Sequence, residues 1–298
     1  MSLTRVTHQM SQTTALANVQ RNLAAMSKLQ GQTSSLRRIE KPSDDPAGTA
    51  KALRLRAEQR ALTQYDRNAA DGKGWLTAVD TAMQTTSTQL IRARTLVVQA
   101  ASSGTTTTES AEAIALEIEA VRDALLGQAN ATYTGRSIFA GTSDADAAYA
   151  AQPDGTYSYA GSAGTVDRRI SEDVTVRVDA DGAALFGDAT GSVFALLDRV
   201  AADVRAGADV GPAIAEIDAW HNRTTSALAT TGARTNQIEA QLSVNAGSML
   251  SLRSDISAVE DVDLAETLVH LQAQEVAYQA ALGATARVLQ PTLLQYLS

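Results

Sequence analysis

The sequence predicts a mainly α protein: an elongated antiparallel helical hairpin, or coiled-coil rod, drawn from both termini, with a small β-rich domain inserted at its tip. Three observations carry this. Both ends of the 298-residue chain bear narrow apolar stripes. The segments between them hold three-four apolar steps far longer than the usual globular helix of about 8–20 residues. One stretch alone, near the middle, changes period.

The C-terminal stripe runs Leu264, Leu268, Leu271, Tyr278, Leu282 and Leu289, interrupted by Glu275 and Thr285. Its N-terminal counterpart runs Leu16, Val19, Leu23 and Met26, extended backwards by Val6, Met10 and Thr13. A stripe near a 3.5-residue period suits a helix that winds on a partner helix rather than sinking into a globule. The first helix is expected over residues 1–40, ending near Lys41-Pro42 because the residue before proline disfavours the α region. Pro42, Ser43, Asp44, Asp45 and Pro46 form a helix-start motif. Asp45 is placed as N-cap and Pro46 at the first helical position, where its missing N–H has no consequence.

From Pro46 a helix is expected to about Ala101, with Leu62, Ala69, Leu76, Met83, Leu90 and Val97 on its stripe and Gly72 and Gly74 as candidate bends. At ~1.5 Å per residue it would be on the order of 80 Å long. A third helix follows over roughly 109–134. From Gly135 to Asp188 short alternating stretches, 156–160 and 174–178, read as strands, with Asp154-Gly155 and Asp181-Gly182 as hairpin turns. A short helix over about 192–205 comes next. A long one from Pro212 keeps Ile217, Thr224, Thr231, Ile238 and Asn245 on one seam. The acidic stretch 254–263 marks a joint before the last helix. The expected domains are 1–41 with 253–298 (terminal assembly), 42–135 with 191–252 (helical rod) and 136–190 (β-rich). Within the last, 143–190 is expected to face outward and tolerate replacement.

Composition narrows the function. Aromatics are 4% of the chain and the apolar 44% leans on Ala, which builds thin helical layers rather than a thick core. A net charge of −8 argues against nucleic acid as partner, since that binding rests on phosphate neutralisation by Lys and Arg. Charge is unevenly spread: residues 1–41 hold six basic groups against one acidic, and 253–298 two basic against six acidic. Such asymmetry favours mixed pairing of the two ends over self-pairing. No run of apolar residues is long enough for membrane insertion, and no apolar stretch behind Arg5 suggests a cleaved secretory signal. Cys is absent, which removes disulfides and thiolate chemistry.

No enzyme is expected, and neither a metal nor a cofactor. His8, His221 and His270 lack ligand neighbours at helical spacing. The 179–182 stretch resembles only the first half of a calcium loop, and the adjacent Asp44 and Asp45 are explained by helix capping. A partner helix, rather than a lipid surface, suits the terminal stripes, because the polar face of the last helix is acidic.

The segment 38–48 (RIEKPSDDPAG) resembles the signature that follows the first helix of bacterial flagellins and their junction relatives. The 256–265 stretch (ISAVEDVDLA) resembles the start of that family's last helix, 136–142 (RSIFAGT) its step into the outer domain, and 232–238 (GARTNQI) another of its stretches. The two prolines around Ser43-Asp44-Asp45 and the ending 293–298 (LLQYLS), with Leu293 and Tyr296, resemble the hook–filament junction branch more than filament subunits. The resemblance implies a structural role at the extracellular end of the hook, after unfolded export by the flagellar type III route. It implies as partners a ring-like homo-oligomer of the chain itself, the first hook-associated protein, flagellin, and a cytoplasmic export chaperone on the C-terminal stripe. A flagellin filament subunit is the alternative; a type III translocator or needle-tip protein would share the helical hairpins without both terminal motifs.

Overall fold

The computed structural model describes residues 2–102, 107–153, 155–189 and 191–289, with side chains described from Met10 to Arg287. Seven helices and eight short strands appear among them: α1 (Ser2–Ser35), α2 (Pro46–Ser102), α3 (Thr108–Ala129), β1 (Thr132–Tyr133), β2 (Arg136–Ser137), β3 (Tyr149–Ala151), β4 (Tyr157–Tyr159), β5 (Asp167–Arg169), β6 (Thr175–Arg177), α4 (Gly182–Phe186), β7 (Gly187–Asp188), β8 (Gly191–Ser192), α5 (Val193–Ala206), α6 (Gly211–Glu260) and α7 (Leu264–Leu289). The chain divides into two compact units, residues 1–60 with 248–298 and residues 61–247. Helices α2 and α6 contribute to both.

The second unit is built on heptads. On α2, Ala69, Leu76, Met83, Leu90 and Val97 are buried at seven-residue intervals. On α6, Ile217, Thr224, Thr231, Ile238 and Asn245 do the same. A seven-residue repeat keeps one seam facing its partner along the whole helix. The polar ties show that the two run antiparallel: Asn245 donates to Asp66 at 2.9 Å, Lys73 pairs with Glu239 at 2.7 Å, and Arg94 with Asp218 at 2.7 Å. Helix α3 adds Ile114, Ile118, Val121 and Leu125 to the same core, and α5 adds Phe194, Leu197 and Val200.

The four sheets are two-stranded antiparallel hairpins, each joining neighbours in sequence. Thr134 and Gly135 carry φ of 50° and 80° between β1 and β2, the left-handed pair that a tight two-residue hairpin turn demands. Strands β3 and β4 flank the expected Asp154-Gly155 turn, of which Asp154 lies outside the described residues. The β-rich stretch shares the helical core: Phe139, Tyr149 and Phe186 are buried, and Phe186 lies 5.9 Å from Phe194 of α5 in a stacked arrangement.

Several expectations need correction. Helix α1 stops at Ser35, before the Pro42 barrier, because Leu36 turns left-handed (φ 57°) and the chain pairs with the joint beyond α6. Helix α3 ends at Ala129, where β1 follows at once. Asp181-Gly182 is no hairpin turn: Asp181 caps α4 by accepting from the Ala184 N–H. Gly72 and Gly74 do not interrupt α2. A Cβ on Gly74 would sit 2.2 Å from the Tyr133 hydroxyl oxygen, so this glycine admits the β1 hairpin onto the helix. Within 143–190, Tyr149, Tyr157 and Phe186 are buried in the core.

Candidate assembly interface

The helix-start motif folds as a set of local caps. The Asp45 carboxylate accepts from the Gly48 N–H at 2.8 Å, and its C=O accepts from Thr49 N–H at 2.9 Å, opening α2 at Pro46. Asp44 accepts from the Lys41 N–H at 2.9 Å and pairs with Lys28 at 3.1 Å. Those two groups, the backbone N–H first, hold its carboxyl below the usual value of 3.8. Gly48 is required here: a Cβ would meet the Asp45 carboxylate at 2.4 Å. Pro42 and Ser43 form the exposed turn between these caps.

The loop after α1 is tied to the α6–α7 joint. Arg38 donates its backbone N–H to the Glu260 C=O at 2.7 Å and its guanidinium to the Val259 C=O at 2.7 and 3.2 Å. Arg37 bridges Asp261, and Val262 donates to the Leu36 C=O at 3.3 Å. From α2, Arg56 pairs with the largely buried Glu260 at 2.5 Å. The joint itself spans Asp261 to Asp263, and Asp263 caps α7 by accepting from Ala265 and Glu266. Arg38 thus satisfies the carbonyls of Val259 and Glu260 freed where α6 ends, the first with its guanidinium and the second with its backbone N–H.

Helices α1 and α7 pack antiparallel. Leu36 meets Val262, and Gln274 donates to the Asn22 C=O and side-chain oxygen at 3.2 and 3.3 Å. The covered face of α1 carries Ala15, Val19, Asn22, Met26 and Leu29; that of α7 carries Thr267, Leu271, Gln274, Tyr278, Ala281 and Thr285. Of the stripe residues expected to mate, Val19, Met26, Leu271 and Tyr278 are half-buried in this seam. Met10 (70% exposed), Leu16 (50%), Leu23 (45%), Leu264 (44%), Leu268 (42%) and Leu282 (43%) are not; they stand beside it in solvent. The side chains of Val6 and Leu289, and residues Leu293 and Tyr296, lie outside the described residues. Among the described residues no ion pair joins the basic groups of 1–41 to the acidic groups of 253–298: Lys28 pairs with Asp44, Arg38 with Asp45, and Glu260 with Arg56 of α2.

Reading apolar residues alone missed the polar half of the seam. Asn22, Gln274 and Thr267 supply it beside Thr285, which the stripe already contained as an interruption; all stand at the same heptad steps as their apolar neighbours, so spacing without regard to polarity would have found them. Among the described residues no three His, Cys, Asp or Glu side chains gather as a metal site. His221 lies 3.1 Å from the Ser87 hydroxyl, and His270 stands one turn from Glu266 at 3.8 Å. No described helix is long and apolar enough to cross a membrane.

Residues 6–144 match the bacterial flagellin N-terminal helical region. Over 96% of its length, and 96% of the relative's, the chain is 27% identical to flagellin of Bacillus subtilis. It is 24% identical to flagellar hook-associated protein 3 of Escherichia coli across 93% of this chain and 94% of that one. Among solved structures, a flagellar hook-associated protein of Vibrio parahaemolyticus superposes with a TM-score of 0.68, at 23% identity, over 73% of this chain and all (100%) of that one. Hook-associated protein 3 of Legionella pneumophila gives 0.63 at 13% identity, covering 69% and 98%. Similarity to flagellin and to hook-associated protein 3 thus extends along nearly the whole chain, and its N-terminal part matches the flagellin helical region. The fold is the one those hook-associated structures share.

Proposed function

We propose that the chain is a structural component of the bacterial flagellum that joins the hook to the filament. It rests on the first hook-associated protein as a ring of identical subunits and presents the template on which flagellin polymerises. Residues 1–41 and 253–298 carry the assembly, residues 42–135 and 191–252 support it, and the surface of 136–190 faces outward. A cytoplasmic chaperone shields the leucines of α7 before export. One observation carries this reading most directly: in a chain with the fold of hook-associated protein 3 structures, the terminal helix pair closes one seam and leaves leucines on both helices uncovered. Exposed apolar surface of this kind marks a site of association.

The similarity to Bacillus subtilis flagellin over 96% of both chains supports a second reading, a filament subunit. Two measurements decide. Leu271→Asp places a charge in the closed seam, where truncating a buried Leu already costs ~2–5 kcal/mol. It is expected to abolish incorporation and motility while residues 61–247 stay folded; normally motile filaments would overturn the assembly role. Purified protein added to hook ends is expected to cap them. Incorporation along the whole filament would establish the filament subunit instead.

A further inference from the structure

Within residues 61–247, α2 and α6 each send a matching pair of amides to the β5–β6 hairpin. On α2, Gln64 donates to the Asn68 side-chain oxygen at 2.9 Å, and Asn68 donates to the Arg169 C=O at 2.8 Å. On α6, Gln241 donates to the Asn245 side-chain oxygen at 2.8 Å, and Asn245 donates to the Ile170 C=O at 3.2 Å. The acceptors are consecutive carbonyls at the end of β5, so one short strand is held from two antiparallel helices. Asn245, only 2% exposed, gives its other amide hydrogen to Asp66 at 2.9 Å, which ties the two helices to each other at the same level. One turn on from Asn68, Gly72 lets the hairpin come close: a Cβ there would meet Val178 at 3.1 Å and Ile238 of α6 at 3.3 Å. Arg168 of β5 adds a pair with Asp71 at 2.7 Å.

Burial changes abruptly at this clasp. On its inner side the seams begin with Ala69 and Ile238, both fully buried. On its outer side no side chain of 53–68 on α2 or of 246–258 on α6 is buried. Burial resumes at Ala52 and Val259, beside the Arg38 and Arg56 ties to the joint. Helical stability in proteins comes mainly from tertiary packing, so this neck is the weakest stretch of both helices. Spacing alone would let its opening spread, because Leu55, Leu62, Ala69 and Leu76 keep one heptad step through the clasp. We infer that the Asn68–Asn245 clasp is a boundary of cooperativity: local opening of the neck stops there, and the core beyond it stays closed. The inference does not depend on the assembly reading above. Proteins open in contiguous units of differing stability, and here bonds to a third element set the edge of one. Both hydrogens and the oxygen of the Asn245 amide are bonded. Passing that level leaves Asp66 and the Ile170 C=O without this donor, and unpaired buried polar groups are costly.

Amide hydrogen exchange of the full-length chain, read by mass spectrometry, tests this. In the unsubstituted chain, amides of 53–64 and 248–258 should exchange at least about tenfold faster than those of 72–86 and 224–242, with the step at the clasp. A profile without that step overturns the boundary. Leu62→Ala, inside the neck, should speed exchange over 53–64 and 248–258 and leave 72–86 and 224–242 unchanged. Asn68→Ala combined with Asn245→Ala should move the step inward. Exchange over 69–76 and 231–242 should then rise by about thirtyfold, as the loss of two hydrogen bonds of ordinary net strength implies, while α3 and α5 keep their protection. Equal acceleration in α3 and α5 would reduce the clasp to general stabilisation and overturn the boundary, and so would a step that stays in place. If the double variant does not fold, Leu62→Ala decides on the intact clasp: faster exchange that runs past Ala69 and Ile238 overturns the proposal, and arrest before them upholds it.

Discussion

Residues 61–247 and the α1–α7 pair are both made of heptad helices, yet they finish differently. In the first, two seven-residue seams meet and a third helix, a fourth and the aromatic hairpins close over them. Tyr149, Phe186 and Phe194 are buried together. In the second, one helix meets one helix. Among the described residues, the only buried apolar side chains outside the large core are Ala52 and Val259, both near the joint and not along the pair. A two-helix seam covers one face of each helix, so a stripe wider than that face stays wet until something else arrives. The lesson is that equal periodicity does not mean equal completion: the number of layers decides whether a chain finishes its own core.

The widest test of that contrast is truncation on both sides. Phe194→Ala is expected to destabilise residues 61–247 by about 3–5 kcal/mol, read by denaturant unfolding. Leu268→Ala should shift the isolated chain by no more than about 0.5 kcal/mol, as exposed substitutions do, while still impairing assembly. Equal losses at the two sites would erase the distinction. Next in size, Gly74→Ala should cost about 1–3 kcal/mol through overpacking against Tyr133, and Tyr133→Phe in the same chain should recover part of it by removing the clashing hydroxyl. Asp45→Ala should cost about 1 kcal/mol, visible as faster amide exchange at Gly48 and Thr49 with little change beyond Ala69.

The smallest expected effect is electrostatic. Arg205 pairs with Glu112 at 2.9 Å and with Glu119 at 2.5 Å, tying α5 to α3, and holds both carboxyls below their usual 4.5. A carboxyl lowered in the folded state stabilises it above the unfolded value, and the contribution fades as pH falls through the folded one. The α3–α5 contact should therefore exchange faster below about pH 4.5, and Glu112→Gln with Glu119→Gln should remove that dependence. No corresponding change is expected along α1 and α7, which share no ion pair among the described residues.

Much of this was legible in the sequence because heptads are local. The seams of α2 and α6 followed from spacing alone, and Pro46 after Asp45 marked a helix start whose caps depend on neighbours within four residues. Ser35 as the end of α1 was not legible, since it depends on Leu36 and Arg38 reaching residues more than 220 positions away. Asp181-Gly182 was ambiguous for a different reason. An Asp before a Gly serves a hairpin turn or a helix cap equally well, and burial of Leu185 and Phe186 on the Tyr149 ring selected the cap.

Alternating steps of three and four by themselves determined that the chain is helical, where its long seams lie, and that its two ends are alike in kind and opposite in charge. Tertiary structure decided which side of each terminal stripe is used. A 3.5-residue pattern names a band around the helix but not the direction from which a partner approaches, and that direction depends on the register in which Gln274 meets Asn22 and Val262 meets Leu36. Only that register separates Leu271 and Tyr278, which the chain covers itself, from Leu264, Leu268 and Leu282, which it leaves open.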